Sequence, residues 1–297
     1  MKRIAFALAI GLALFGVKAA GAPKRVAIDG TCTGCRASAP EGSDPVPLVV
    51  VLHGDWGHGP AELLRAWERH AASRGVAVLA LQCPKELGCK GSFWRWGGDT
   101  SFVTDQVAAL REKREIDERR MYLAGWSGGA TYIGLHSQDL ETTFAAFVFH
   151  GGGYPPSSQR CTETKPPTYF LTGDKNPLHA HVGQLRDHYT SCGNEVVWNV
   201  LHGADHDAEW SALDKHGGAI LDFLLTKKVV EPPAPIASSE APTTETPPAL
   251  VPKSATVPPR SGCGCGIASS SAGSSLAATA VLALGALLRR RERRVPR

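Results

Sequence analysis

Gly125-Trp126-Ser127-Gly128-Gly129 places a serine between glycines in a Gly-x-Ser-x-Gly pattern. An apolar run, Met121 to Ala124, leads into it and a helix-compatible segment leads out. A serine in that strand–turn–helix setting sits on a strained turn with its hydroxyl exposed. Side chains at 125 or 129 would crowd such a turn, and the N-terminus of the following helix favours negative charge developing beside it. The chemistry implied is nucleophilic attack by Ser127; the plain alternative is a β–α turn capped by a serine. A serine nucleophile needs a base, and position must choose among 11 histidines. His206 stands beyond the last predicted strand and before the last predicted helix, where chain order expects the base. His202, nearer the strand end, reads as structural. The acid should follow the penultimate strand. Asp174 is the only carboxylate in that turn, Thr172-Gly173-Asp174-Lys175-Asn176-Pro177. A carboxylate there would fix the imidazole tautomer and stabilise the imidazolium. The alternatives are that Asp174 merely caps a turn, or that Asn176 orients the ring without supplying charge.

Attack on a carbonyl also needs donors for the oxygen that becomes negative. The backbone amide of Gly128 is one candidate. The other lies in His53-Gly54-Asp55-Trp56-Gly57, after the Pro47–Leu52 strand, with Asp55 as donor through its N–H. Trp94 and Trp96, in the loop from Cys83 to Asp99, and Trp126 in the elbow are candidate substrate contacts, though ordinary packing would also account for them. His150, at another strand end, reads as rim or structural.

These residues must be held by alternating elements. Strands are expected at Pro47–Leu52, Val76–Leu81, Arg120–Ala124, Phe144–Phe149, Thr168–Leu171 and Val196–Leu201. Helices are expected at Pro60–Ser73, Ser101–Lys113, Gly128–Ser137, His179–Tyr189 and Glu209–Leu225. Short continuous apolar runs fit strands buried on both faces. Repeated β–α units predict an α/β fold with a mostly parallel, doubly wound sheet and helices on both faces. Sites in such sheets lie beyond the strands' C-terminal ends.

Residues 23–228 form this expected catalytic domain. Residues 1–22 read as a signal peptide: Lys2-Arg3, an apolar run from Ile4 to Val17, and small residues for cleavage. The alternative is an N-terminal anchor. Residues 229–262, with nine prolines between Glu231 and Arg260, read as a disordered linker. Residues 263–297 combine Cys263 and Cys265, an apolar segment and an arginine-rich tail. The net charge of +4 is misleading, because the N-terminal segment carries +3 and the tail +5, which leaves −4 between them. No basic patch argues for nucleic acid. Eight cysteines suit an oxidising destination, with Cys32–Cys35, Cys83–Cys89 and Cys161–Cys192 as the expected bridges. A zinc site is the weaker reading, since no second Cys pair matches Cys32 and Cys35.

Residues ~45–225 resemble the secreted polyhydroxybutyrate depolymerase and feruloyl esterase-like branch of the α/β-hydrolases. The resemblance rests on His53-Gly54, the Cys83/Cys89 loop with its aromatics, Ile116-Asp117 and the Ser127 elbow. It implies the α/β-hydrolase fold, hydrolysis of small or polymeric carboxylic esters through an acyl-enzyme, and no cofactor, with Ser127 as nucleophile and His206 as base. One departure stands out: the resemblance puts the acid at the position of Asn176. The alternatives are a peptidase or amidase using the same triad, and a non-catalytic surface binding module. The C-terminal segment, from Gly262-Cys263-Gly264-Cys265-Gly266 to Arg289-Arg290-Arg291, is similar to the MYXO-CTERM sorting signal. That implies transient membrane association, a sorting or processing protease, and delivery to the cell surface or medium. A permanent tail anchor is the alternative.

Overall fold

The run from Val46 to Leu52 is buried at every position. Leu48, Val50 and Leu52 enter one core, Val49 and Val51 another. Successive side chains of a strand point to opposite faces, so a strand covered on both faces must be apolar throughout. The structure, a computed structural model, describes residues 23–229 apart from 30, 86–88, 90–93 and 95–99. Trp96 and the expectations for residues 1–22 and 230–297 therefore lie outside the described residues.

The strands are β1 (Arg25–Ile28), β2 (Arg36–Pro40), β3 (Val46–Leu52), β4 (Ala77–Leu81), β5 (Ile116–Trp126), β6 (Ala146–His150), β7 (Thr168–Gly173) and β8 (Val196–Leu201). The helices are α1 (Pro60–Ala71), α2 (Ser101–Arg111), α3 (Gly128–Leu135), α4 (Ser137–Leu140), α5 (His179–Ser191) and α6 (His206–Leu225). The sheet order is β1-β2-β4-β3-β5-β6-β7-β8. The pairs from β4 to β8 are parallel, while β1–β2 and β2–β4 are antiparallel. The expected mostly parallel sheet is present, with a two-strand antiparallel margin that the sequence pattern did not suggest.

Helices cover both faces. Leu63, Trp67, Leu213, Ile220 and Leu224 of α1 and α6 share a core with Val49, Val51, Tyr122 and Val148. Val103, Val107, Ile133, Val182 and Leu185 of α2, α3 and α5 share the other with Leu48, Leu123, Phe147 and Phe170. The register is tight near the strand ends: Leu52 lies opposite Gly125, Trp126 opposite His150, and Gly173 opposite Leu201. The loops that follow β3, β5, β6, β7 and β8 therefore emerge along one edge.

The three expected disulfides are present, with Cα–Cα separations of 5.1 Å for Cys32–Cys35, 6.0 Å for Cys83–Cys89 and 5.3 Å for Cys161–Cys192. The last joins the segment after β6 to the end of α5 across 31 residues. Closing a loop of that length removes entropy from the unfolded chain worth about 3.7 kcal/mol. Replacing both Cys161 and Cys192 by serine is expected to lower the unfolding free energy in urea by about that amount. A change within experimental error would refute the loop-closure contribution.

Candidate active site

Ser127 follows β5 directly and adopts φ 50°, ψ −111° at the N-cap of α3. Its N–H donates to the His150 carbonyl (2.8 Å), and its own carbonyl accepts from Thr131 N (3.0 Å). A Cβ at position 125 would lie 2.4 Å from Ala130 N, and one at 129 would lie 2.5 Å from the Leu52 carbonyl oxygen. Both glycines are thus required by close approach of backbone to backbone. Three non-glycine residues among the described ones have positive φ: Ser127, Trp56 (57°) and His58 (49°). All three stand on the loops after β5 and β3, where strain of this kind is held by the surrounding packing.

His206 is the first residue of α6, whose N-cap, Asp205, accepts from Ala208 N at 3.0 Å. Its Nε2 lies 2.8 Å from Ser127 Oγ. Its Nδ1 lies 2.8 Å from Glu209 Oε2, one helical turn further on. The structure thus brings Ser127 and His206 together and adds a carboxylate that the sequence reading did not contain. Glu209 has no exposure to solvent. Its Oε1 accepts from Thr172 Oγ1 (3.2 Å) and from Gly173 N. Its Oε2 accepts from Asn176 Nδ2 (2.6 Å) and the His206 ring. Four donors on two oxygens match a carboxylate, which can only accept.

The assignment of the acid to Asp174 is corrected. Asp174 is exposed; its carboxylate accepts from Gly203 N (2.8 Å) and pairs with His202 Nδ1 (3.2 Å). Those two partners hold its pKa below the usual range. It ties the turn after β7 to the turn after β8, the structural role that was its alternative. Asn176 is buried, and its Nδ2 donates to Gly151 O (3.0 Å) and to Glu209, while lying 3.2 Å from His206 Nδ1. Its Oδ1 accepts from Leu178 N (2.8 Å). It therefore orients the Glu209 carboxylate, and its two N–H bonds are spent on acceptors other than the ring.

The readings of Trp126 and Trp94 as substrate contacts are also corrected. Trp126 is 4% exposed and stacks on the His206 ring at 4.6 Å and 9°. It is a shelf that fixes the plane of the imidazole. Trp210 packs against Trp126 (5.3 Å) and His58 stacks on Trp210 (3.9 Å). Trp94 is 5% exposed, and its Nε1 donates to His53 O at 2.8 Å. It anchors the loop after β3. His53 is buried there too, with Nδ1 on Gly54 O (2.8 Å) and Nε2 accepting from Cys83 N (3.0 Å). Burial lowers its pKa and keeps the ring neutral, as that pair of partners requires. His150 is structural: its Nε2–H donates to the Glu209 carbonyl (2.7 Å), and burial pushes its pKa down to about 4.

Asp55 and Gly128 lie against each other, since a Cβ on Gly128 would meet the Asp55 carboxyl at 2.5–2.6 Å. Trp56, beside Asp55, is 60% exposed. Among the described residues no three His, Cys, Asp or Glu side chains converge as metal ligands, and no helix is long and apolar enough to cross a membrane.

Glu209 was hidden by a boundary. With α6 begun at Glu209 instead of His206, the two residues fall on different elements. The available signal was Asp205, a good N-cap residue ahead of an acidic first turn.

No family model and no curated protein matches the chain. Solved structures do. A thermostable esterase is 21% identical, with a TM-score of 0.54 over 69% of this chain; the chain covers 63% of that protein's length. The fluorophosphonate-binding serine hydrolase FphF of Staphylococcus aureus is 13% identical, with a TM-score of 0.53 over 69% of this chain and 99% of that one. A dienelactone hydrolase-like promiscuous phosphotriesterase from metagenomic libraries is 18% identical, with a TM-score of 0.54 over 70% of this chain and 100% of that one. The chain has the α/β-hydrolase fold.

The hydrogen bond between Glu209 and the His206 ring predicts a far-downfield Nδ1 proton in the NMR spectrum. Glu209→Gln should abolish that resonance and Asp174→Asn should leave it in place. The reverse pattern would return the acid to Asp174.

Proposed function

We propose that the chain is a serine hydrolase that cleaves carboxylic esters through an acyl-enzyme. The single observation that carries this is the continuous line Ser127 Oγ–His206–Glu209, with both ring nitrogens at 2.8 Å from their partners. Ser127 attacks the ester carbonyl while His206 Nε2 takes its proton. Glu209 holds Nδ1–H and stabilises the imidazolium. The amides of Asp55 and Gly128 receive the oxyanion. His206 then protonates the departing alcohol, and water repeats the sequence on the acyl-enzyme. Trp56, exposed next to Asp55, is the aromatic surface offered to substrate, a role in which no cofactor is needed.

The finer reading is the polyhydroxybutyrate depolymerase and feruloyl esterase-like branch, supported by the sequence features around His53, Cys83 and Ser127. Export and surface delivery, with a sorting protease acting near Cys263, is supported by the N- and C-terminal sequence patterns and agrees with three disulfides in one domain. The peptidase or amidase reading uses the same triad and is separated by kcat/KM on matched ester and amide substrates. The binding-module reading drew on the absence of a carboxylate at position 176, and Glu209 removes that support.

Residues 20–230 should hydrolyse a short-chain aryl ester and label with a fluorophosphonate, both lost in Ser127→Ala. Equal behaviour of wild type and Ser127→Ala in both assays would sink the proposal. Glu209→Gln should lower kcat by about ten-thousandfold, the scale for a triad acid converted to its amide. Asp174→Asn should change kcat by less than about threefold, as a surface turn contact does.

Asn176 supplies a further test. Its Nδ2 is 3.2 Å from His206 Nδ1, so a carboxylate at 176 reaches the ring. In a Glu209→Gln background, Asn176→Asp should recover at least about tenfold in kcat. Asn176→Asp alone sets two buried carboxyls in contact, forces one to hold a proton, and should lose activity. A double variant no better than Glu209→Gln would show that the acid cannot be moved.

A further inference from the structure

The carboxyl of Asp55 is not used in the mechanism above, which employs only that residue's backbone amide. Its position is unusual for a carboxyl group. It lies flat against Gly128, the residue after the nucleophile, with Oδ2, Oδ1 and Cγ all within 2.5–2.6 Å of where a Cβ on Gly128 would be. The loop that carries it is pressed onto the elbow, since a Cβ on Gly54 would meet the Trp126 ring at 2.5 Å and Ser127 Cβ at 3.2 Å. Asp55 Oδ1 is buried and has no hydrogen-bond partner among the described residues. A buried oxygen without a partner carries a desolvation cost that a native site normally offsets. The Ser127 side chain gives α3 no cap, because its hydroxyl is committed to His206.

We propose that the Asp55 carboxyl, as the neutral acid, donates a third hydrogen bond to the oxyanion, beside the backbone amides of Asp55 and Gly128. This rests on the ester-hydrolase reading. The charge state follows from the chemistry. An ionised Asp55 would set a second negative charge against the oxyanion and occupy the end of α3 that should receive it. A neutral carboxyl presents an O–H there. The proton stays on Asp55 throughout: the O–H hydrogen-bonds to the oxyanion as it forms and is released when the carbonyl re-forms, so no proton is gained or lost at this site.

Burial pushes the Asp55 pKa up to about 7, opposed by the Trp94 N–H that reaches the carboxyl. The groups around it do not reverse this. His53, on the same loop, is held neutral with its ring turned to Gly54 O and Cys83 N. His58 turns to Glu62 and Trp210. The first turn of α3, Gly128–Thr131, has no ionisable side chain. His206 and Glu209 face Ser127 and each other. No charged side chain among the described residues contributes to the shift.

The test is the pH profile of kcat and KM on an aryl ester for the wild type, Asp55→Asn and Asp55→Ala. Wild-type kcat should decline on the alkaline side as Asp55 ionises near pH 7. Asp55→Asn, which donates but cannot ionise, should lose that decline. Asp55→Ala should lower kcat about a hundredfold with KM nearly unchanged, the scale for removing one oxyanion donor, and Asp55→Asn should stay roughly tenfold above it. Thermal unfolding reads the charge state without turnover. An acid whose pKa is raised by folding stabilises the fold below its unfolded value and loses that contribution as pH rises through the folded one. Between pH 3.8 and about 7, wild-type Tm should therefore fall relative to Asp55→Asn. An alkaline limb shared by wild type and Asp55→Asn, full kcat in Asp55→Ala, or parallel Tm curves would each overturn the proposal. Failure of the hydrolase reading looks different: wild type would match Ser127→Ala in turnover and labelling, and the proposal would fall with it.

Discussion

A carboxylate shut away from water is tolerated only where donors replace its hydration, and breaking one partner away leaves a buried charge that costs several kcal/mol. Glu209 is such a group. Its oxygens are met by Thr172, Gly173, Asn176 and His206, so the end of β7, the following turn and the start of α6 are tied at one point. The backbone of the same residue is tied as well, through the bond from His150 to its carbonyl. The position of His206 depends on this arrangement. The ring is held at Nδ1 by Glu209, from beneath by Trp126, and at the helix start by the Asp205 cap. What remains free to act is Nε2, which faces Ser127.

The opposite wall is held by different means. The loop after β3 has two non-glycine residues at positive φ, a conformation that needs external support. Trp94 and Cys83 supply it through buried hydrogen bonds to His53, and Cys83 is itself fixed by its bridge to Cys89. A rigid elbow beside a rigid loop is what the proposed stabilisation of a tetrahedral intermediate requires, because donors already in place need no reorganisation when charge appears.

Much of this frame was legible in the residues. The strands of the parallel sheet are continuous apolar runs because both their faces are buried. The elbow announced itself because a glycine is needed on each side of Ser127 for steric reasons alone. The antiparallel margin was not legible: Arg36-Ala-Ser-Ala-Pro40 has small residues that are buried by their neighbours, and Arg25–Ile28 is only partly covered. The acid was misread for a related reason. Asp174 lay in the expected turn, but a carboxylate in a turn does not reveal whether it points inward. Trp94 and Trp126 looked like surfaces for a ligand, and burial made them supports.

By itself the sequence determined the glycine-flanked turn at Ser127, the histidine beyond the last strand and the order of β–α units, and it raised the expectation of the three cysteine pairings. These are set by local requirements: steric room, chain order, short loop closure and hydrophobic period. The tertiary structure alone decided which carboxylate meets His206, which aromatics are walls, and that the Asp55 carboxyl lies on Gly128. Those are matters of direction and distance between elements far apart in the chain. A three-residue change in where α6 begins was enough to turn Glu209 from an unremarked helix residue into the partner of His206.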